Sequence, residues 1–337
     1  MRIAHVMAGA RAGGAELFFE RLSAAMHAAG DAVLPVVRRD AARAGRMAAA
    51  GVAPVELGFG GALDLVTPGR LRRVLREFEP GVVVAWMNRA ARAMLPGSWV
   101  TAGRLGGYYD LRYYRRCEHL IGNTRGIVAW VREQGWPAGR VHHLPNFAPD
   151  LAGAMPARLP AGRVVLALGR LHRNKGFDVL IRAMAGVPEA QLVLAGDGPE
   201  RGALRALAEA EGIAARVHLL GWRQDTGALL AGCDVLVCSS RHEPLGNVVI
   251  EAFSAGRPVV AAAVAGPLEV IDPGRTGLLV PPEDPARLAA AIRTVLGDPG
   301  LAAGLAAAGR AEWARSFAEA PVVARWQETL HAMQAAR

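Results

Sequence analysis

One lysine stands among 38 arginines in this chain, at Lys175. It lies in Gly169-Arg170-Leu171-His172-Arg173-Asn174-Lys175-Gly176, after the apolar run Val164–Leu168 and before a helix-like segment. Arginine is a planar fork, whereas lysine is a compact charge on a flexible stem, so a lone ammonium in an arginine-rich chain marks its position. The end of a parallel strand is where α/β sheets bind ligands. Arg170 and Lys175 would bring two permanent cations there, with Gly176 allowing close approach. A diphosphate suits such a loop, because charge-assisted hydrogen bonds are the strong ones. A basic loop solvated at a sheet edge is the plainer alternative. No Gly-x4-Gly-Lys-Ser/Thr occurs, so the loop is not a P-loop.

A second stretch, Glu243-Pro244-Leu245-Gly246-Asn247-Val248-Val249-Ile250-Glu251, follows the apolar Val235–Cys238. Pro244 and Gly246 predict a tight, non-helical approach to a helix that begins near Asn247. Backbone N–H groups at Gly246, Asn247 and Val248 would then form an anion site at its N-terminus. Glu243 lies before that helix and Glu251 about one turn inside it. Carboxylates accept hydrogen bonds from diols, so both could hold sugar hydroxyls. A helix-start charge and a solvated carboxylate are the alternative.

All four tyrosines fall in Tyr108-Tyr109-Asp110-Leu111-Arg112-Tyr113-Tyr114. Aromatic faces beside cations suit a sugar ring or a phosphorylated acceptor, although Tyr109 and Tyr113 at helical spacing would also suit core packing. Residues 1–150 carry 20 arginines against 12 carboxylates, and residues 151–337 carry 19 cations against 18. The excess in the first half points to an anionic partner there, unless arginine simply decorates every solvated face. Arg70, Arg72, Arg73 and Arg76 read as one face of an amphipathic helix, solvated or set against anionic lipid.

These residues need a frame. The chain's 337 residues predict about two domains. At 52% hydrophobic and 20% charged, it excludes wholesale disorder. No apolar run approaches the roughly 20 residues of a membrane-spanning helix. Met1–Met7 reads as a first strand rather than a secretory signal. Cys117, Cys233 and Cys238 lack disulfide or metal-ligand spacing, which fits a reducing cytoplasm. Strands are expected at Arg2–Met7, Ala32–Val37, Val52–Leu57, Val82–Trp86, Trp99–Gly103, His119–Gly122 and Val141–Leu144. A second series runs Val164–Leu168, Leu192–Ala195, Val217–Leu220, Val235–Cys238, Val259–Ala262 and Gly277–Val280. Amphipathic helices alternate with both series, which predicts parallel sheets buried on both faces, twice over. Two doubly wound α/β domains would face each other across a ligand cleft. Boundaries are expected at 1–148, a linker over 149–162, a second domain over 163–316 and a C-terminal helix over 317–337 packing back on the first.

Glu-x7-Glu after a strand, with an upstream Gly-Arg-Leu-x3-Lys-Gly, resembles glycosyltransferase family 4, the retaining nucleotide-sugar transferases of GT-B fold. Gly13-Gly14-Ala15-Glu16 resembles the family's first glycine-rich turn, and Gly196-Asp197-Gly198-Pro199 its Gly-x-Gly-Pro turn. Ala255-Gly256-Arg257-Pro258, Gly266-x2-Glu269, Gly277–Val280 and Asp284-Pro285 also match, so the likeness runs almost continuously through the second half. It implies a nucleoside-diphosphate sugar as donor and a glycan or lipid-linked acceptor, such as lipopolysaccharide core or an exopolysaccharide precursor. It assigns Glu251 to the ribose, Glu243 to the transferred sugar and Gly14 to the phosphate; Gly169 and Gly198 are donor-side candidates, and Gly221-Trp222-Arg223, after a strand end, could touch the base. Members often carry a histidine at the end of the fourth or fifth strand of the first domain. Here Val84–Arg89 and Gly103–Tyr108 hold none, and Asn88, Tyr108, Tyr109 and Asp110 are the acceptor-side candidates.

No cofactor or metal is expected, since the chain lacks Asp-x-Asp and Arg170 and Lys175 would meet the diphosphate. The expected partners are the nucleotide-sugar, the acceptor and anionic lipid at the inner face of the cytoplasmic membrane, with no nucleic acid. An epimerase or sugar phosphorylase could share the two-domain shape. A glycosidase would not need a diphosphate cradle. A dinucleotide site is disfavoured by Arg201, where a third glycine would stand. A non-catalytic anion or nucleic-acid binder would leave Lys175 and both glutamates unexplained.

Overall fold

The computed structural model describes residues 1–9, 13–60, 64 and 66–337. The chain forms two units: Met1–Asn146 with Glu319–Arg337, and Phe147–Ala318.

Unit 1 holds a seven-stranded parallel sheet. Its strands are β1 (Arg2–Met7), β2 (Ala32–Arg38), β3 (Val55–Leu57), β4 (Val82–Trp86), β5 (Val100–Leu105), β6 (His119–Gly122) and β7 (Val141–His143), in the order β3-β2-β1-β4-β5-β6-β7. Every residue of β4 is buried, as expected for a strand covered on both faces by crossover helices. β3 is shorter than Val52–Leu57 predicts. Gly51 adopts φ 81, and the Val52 N–H returns 3.0 Å to Met47 O to close the preceding helix, which takes Val52 out of the sheet. The tyrosine segment also departs from its reading. Only Leu111–Tyr114 is helical, so Tyr109 and Tyr113 are not neighbours on one helix.

Unit 2 holds six parallel strands: β8 (Arg163–Leu168), β9 (Ala190–Ala195), β10 (Val217–Gly221), β11 (Val235–Cys238), β12 (Val259–Ala262) and β13 (Leu278–Val280), in the order β10-β9-β8-β11-β12-β13. The order reverses between β8 and β11, which pair at Val165 with Val235 and at Leu166 with Leu236. Such a switch point opens a crevice outside the carboxyl ends of its two strands. Both chemistry-bearing stretches begin there, one after each strand. Residues 149–162, expected as a linker, pack on unit 2: Ala157 N donates to Ala228 O at 2.8 Å, and Leu151 and Leu159 join its core.

After Asp298, whose side chain caps helix Pro299–Glu312, one π-turn at Trp313–Phe317 leads to helix Glu319–Ala335, which belongs to unit 1. There Trp326 stacks parallel to Trp86 with centroids 6.1 Å apart. His5 sits beside both rings, at 6.3 and 5.8 Å, and its Nδ1 lies 3.2 Å from Ser23 Oγ. Burial disfavours the imidazolium and lowers the His5 pKa to about 3. An unfolded chain protonates the same ring near pH 6.5 and so binds more protons between those values. Stability should therefore fall as pH drops below about 6.5. Urea midpoints measured from neutral pH down to about pH 4 should decline less steeply in His5→Leu than in the wild type; parallel declines would refute the assignment.

Candidate active site

The loops after β8, β9 and β11 in unit 2 are held by backbone contacts that only glycine permits. Gly169 (φ 144) donates its N–H to Ala195 O at 3.0 Å, and Leu171 N donates to Asp197 O at 2.9 Å. A Cβ at Gly196 would stand 1.8 Å from Gly169 O, and one at Gly198 2.3 Å from Leu171 O. Gly176 has φ 61, and a Cβ there would meet Ser239 O at 2.1 Å. No side chain fits at these three positions without moving backbone.

The β8 and β11 loops are then joined directly. Arg241 N and His242 N donate to Asn174 O at 2.8 and 3.2 Å, and Ser239 Oγ donates to Lys175 O at 3.0 Å. The Arg241 guanidinium grips both oxygens of Asp178 at 2.7 and 2.8 Å, Glu283 at 2.7 Å and Arg173 O at 3.0 Å. The hydrogen bonds to Asp178 and then Glu283 raise the Arg241 pKa, and their counterpart holds the Asp178 carboxyl below its ordinary value. Sequence reasoning did not foresee this clamp, because its partners lie 63 residues apart and only the pairing of β8 with β11 brings them together.

The join brings together two of the predicted side chains. Lys175 Nζ donates to Glu243 Oε2, and Ser240 Oγ donates to the same oxygen at 3.3 Å. The Lys175 side chain is 24% exposed and that of Glu243 11%. Burial works against the ammonium, but the charge of Glu243 and its hydrogen bond outweigh this and raise the Lys175 pKa. Beside the pair, burial pushes the Cys238 thiol up. Arg170 is exposed and has no ion pair among the described residues.

Gly246 adopts φ 85 and starts helix Asn247–Ser254, which puts the Gly246–Val248 backbone at the helix's electropositive end. Glu251 lies one turn along the same helix, half-buried. The Gly266 N–H donates to Glu243 O at 2.8 Å and fixes the turn from behind. Gly221 (φ 74) accepts from Gly196 N at 2.8 Å, which leaves Trp222 63% exposed beyond it. Arg223 is engaged by Asp225 at 2.7 Å. One end of the unit 2 sheet thus carries two cations, two carboxylates, a helix N-terminus and an exposed indole. That set can neutralise a diphosphate and accept hydrogen bonds from sugar hydroxyls.

The remaining candidates belong to unit 1. Gly14 is the first residue of helix Gly14–Ala28, after β1. Asn88 follows β4, and its buried Oδ1 has no partner among the described residues. Tyr108 is 45% exposed with its ring edge-on to Trp130 at 5.4 Å. Burial raises the Tyr109 pKa. Asp110 caps Leu111–Tyr114 and pairs with Arg112 at 2.7 Å, so a local structural task occupies it. Sequence reasoning also passed over Arg104, a fully buried cation at the end of β5.

Two doubly wound parallel α/β units, the second with this loop set at its switch point, define the architecture. The family model for glycosyl transferases group 1 matches residues 162–298. The chain is 37% identical over 330 residues to the lipopolysaccharide core biosynthesis glycosyltransferase LpsD of Rhizobium meliloti (strain 1021), covering 95% of each protein. It is 35% identical over 323 residues to LpsE of the same organism, covering 92% of this chain and 93% of that protein. The crystal structure of HepE from Anabaena with UDP is similar in fold, with TM-score 0.85 at 23% identity over 98% of this chain and all of that one. WaaG, a glycosyltransferase involved in lipopolysaccharide biosynthesis, gives TM-score 0.72 at 18% identity over 99% of each chain. The protein belongs to the glycosyl transferases group 1 and is a glycosyltransferase of GT-B fold.

The loop packing has a direct test. Gly176→Ala should lower stability by about 2 kcal/mol or more, through strain at positive φ and the clash with Ser239 O, and should abolish transfer. Gly202→Ala, with nothing within 4 Å of its new Cβ, should fold at least as well as the wild type. Thermal melts of the two variants check this; equal melting temperatures would reject the account.

Proposed function

We propose that the protein moves a sugar, with retention of anomeric configuration, from a nucleoside-diphosphate sugar to a lipopolysaccharide-core or related lipid-linked glycan. The observation that carries this reading is the Lys175–Glu243 pair at the switch point of unit 2. The anomeric C–O bond breaks, the electron pair stays on the departing diphosphate, and the sugar becomes oxocarbenium-like. Lys175, Arg170 and the N–H groups at Gly246, Asn247 and Val248 stabilise the charge that grows on the leaving oxygen. Glu243 keeps Lys175 oriented and accepts hydrogen bonds from the transferred sugar, and Glu251 accepts from the ribose. Gly198 and Gly221 bring backbone to the nucleotide, and Trp222 offers its ring to the base.

The acceptor class is supported by LpsD and LpsE, both named for lipopolysaccharide core biosynthesis and both aligned over nearly their full length. Uracil is the base to test first, since HepE is solved with UDP and with UDP-glucose. The two cations take the charge-neutralising task, so catalysis needs no metal. Arg70, Arg72, Arg73 and Arg76, exposed on helix Val66–Phe78 over buried Leu71 and Leu75, provide a contact for anionic lipid at the inner face of the cytoplasmic membrane.

Lys175→Ala removes a charge-assisted hydrogen bond of roughly 1.5–3 kcal/mol, so kcat should fall about 10- to 100-fold or more. Donor turnover near the wild-type rate would reject the role. Activity should survive EDTA, and a thermal-shift series should rank UDP above GDP and ADP; loss with chelator, or no shift with any nucleotide, would overturn those parts of the reading.

A further inference from the structure

Unit 1 gathers buried polar side chains that the donor chemistry of unit 2 does not use. The register of β4, β5 and β6 sets Trp86, Arg104 and Ile121 in one row near the carboxyl end of the sheet. Asn88 and Asn123 each lie two residues past that row, on either side of β5. Arg104 is 1% exposed. Its guanidinium lies over the rings of Trp86 and Phe18, at 4.5 and 5.1 Å, and donates to Asn146 Oδ1. Among the described residues its Nε has no acceptor and no carboxylate pairs with it. The buried Oδ1 atoms of Asn88 and Asn123 are likewise without partners among those residues. Met87, between β4 and Asn88, is held at φ 65, a conformation that costs a non-glycine residue energy and concentrates at functional sites.

A buried guanidinium without a counter-ion has given up its hydration, and ring faces and one carboxamide return only part of that. Burial lowers the Arg104 pKa to about 10, which still leaves it a cation at neutral pH. A charge kept at a strand end at this cost has a use when an anion arrives. The Gly106 backbone is part of its cover: a Cβ at Gly106 would lie 3.5 Å from Arg104 Nη1 and 3.7 Å from the Tyr109 hydroxyl. Two consecutive glycines, Gly106 and Gly107, let that turn shift readily.

We propose that Arg104 is the receptor for an oxyanion carried by the acceptor sugar, a carboxylate or a phosphate, with Asn88, Asn123 and Asn146 ordering the hydroxyl groups around it. The planar fork of arginine matches either group with two parallel hydrogen bonds. A neutral acceptor would call for no buried cation. The proposal rests on the reading of unit 1 as the acceptor side of a glycosyltransferase.

The test uses the full chain saturated with UDP and four probes: a methyl uronide, its methyl ester, a methyl hexoside 6-phosphate and the unphosphorylated hexoside. Ligand-observed NMR gives the dissociation constants. At least one anionic probe should bind about tenfold or more tightly than its neutral counterpart, and which one does identifies the oxyanion. Arg104→Gln should erase that preference while leaving UDP and the neutral probes unchanged, and Arg104→Lys should keep part of it. Equal binding of anionic and neutral probes by the wild type overturns the proposal, whether or not a variant folds. So does an Arg104→Gln protein that loses neutral and anionic probes alike. Failure to bind UDP or any other nucleotide would instead count against the glycosyltransferase reading, which keeps the two outcomes separate.

Discussion

The half-buried ion pair between Lys175 and Glu243 is the contact on which the functional end of unit 2 depends. Either charge alone in that setting would be costly, because partial burial strips water from it. Together they offset the loss, and Ser240 adds a second donor to the shared carboxylate oxygen. The pair forms only because β8 and β11 are neighbours at the point where the strand order reverses. It ties the two loops that carry the other donor groups into one surface.

Backbone packing prepares that surface before any ligand arrives. Gly176, Gly196 and Gly198 allow peptide groups of three loops to touch where a methyl group would collide. Arg241 then spans the assembly, with a bidentate grip on Asp178 and further bonds to Glu283 and Arg173 O. A diphosphate leaving group develops charge faster than flexible side chains could reorganise around it. Donors held in place beforehand serve that moment better than mobile ones.

The two units divide their polar groups differently. Unit 2 pairs its buried lysine with a carboxylate and leaves Arg170 in solvent. Unit 1 buries Arg104 against two rings and one carboxamide, and among the described residues no carboxylate pairs with it. The first arrangement stores a balanced charge at the switch point of its sheet. The second stores an unbalanced one at the carboxyl end of a parallel sheet, near tyrosines that are partly exposed.

Much of the fold is legible in the amino-acid order. β1, β4, β6, β11 and β12 lie where apolar runs predict them, and the helix N-terminus at Asn247 follows from Pro244 and Gly246. These features depend on neighbours a few residues apart, and local sterics and hydrophobic periodicity specify them. Helix Met87–Arg92 went unread, since it opens on a left-handed methionine that no propensity favours. The partners of Lys175 and Arg241 are separated from them by 68 and 63 residues, and Arg104 reaches Asn146 across 42. Residue types, the two series of strands and the glycine-marked turns were thus determined by the sequence alone. Which charges meet, which stay exposed and which is buried without a counter-ion was decided by tertiary structure, because strand order and register, not distance along the chain, set what lies beside what.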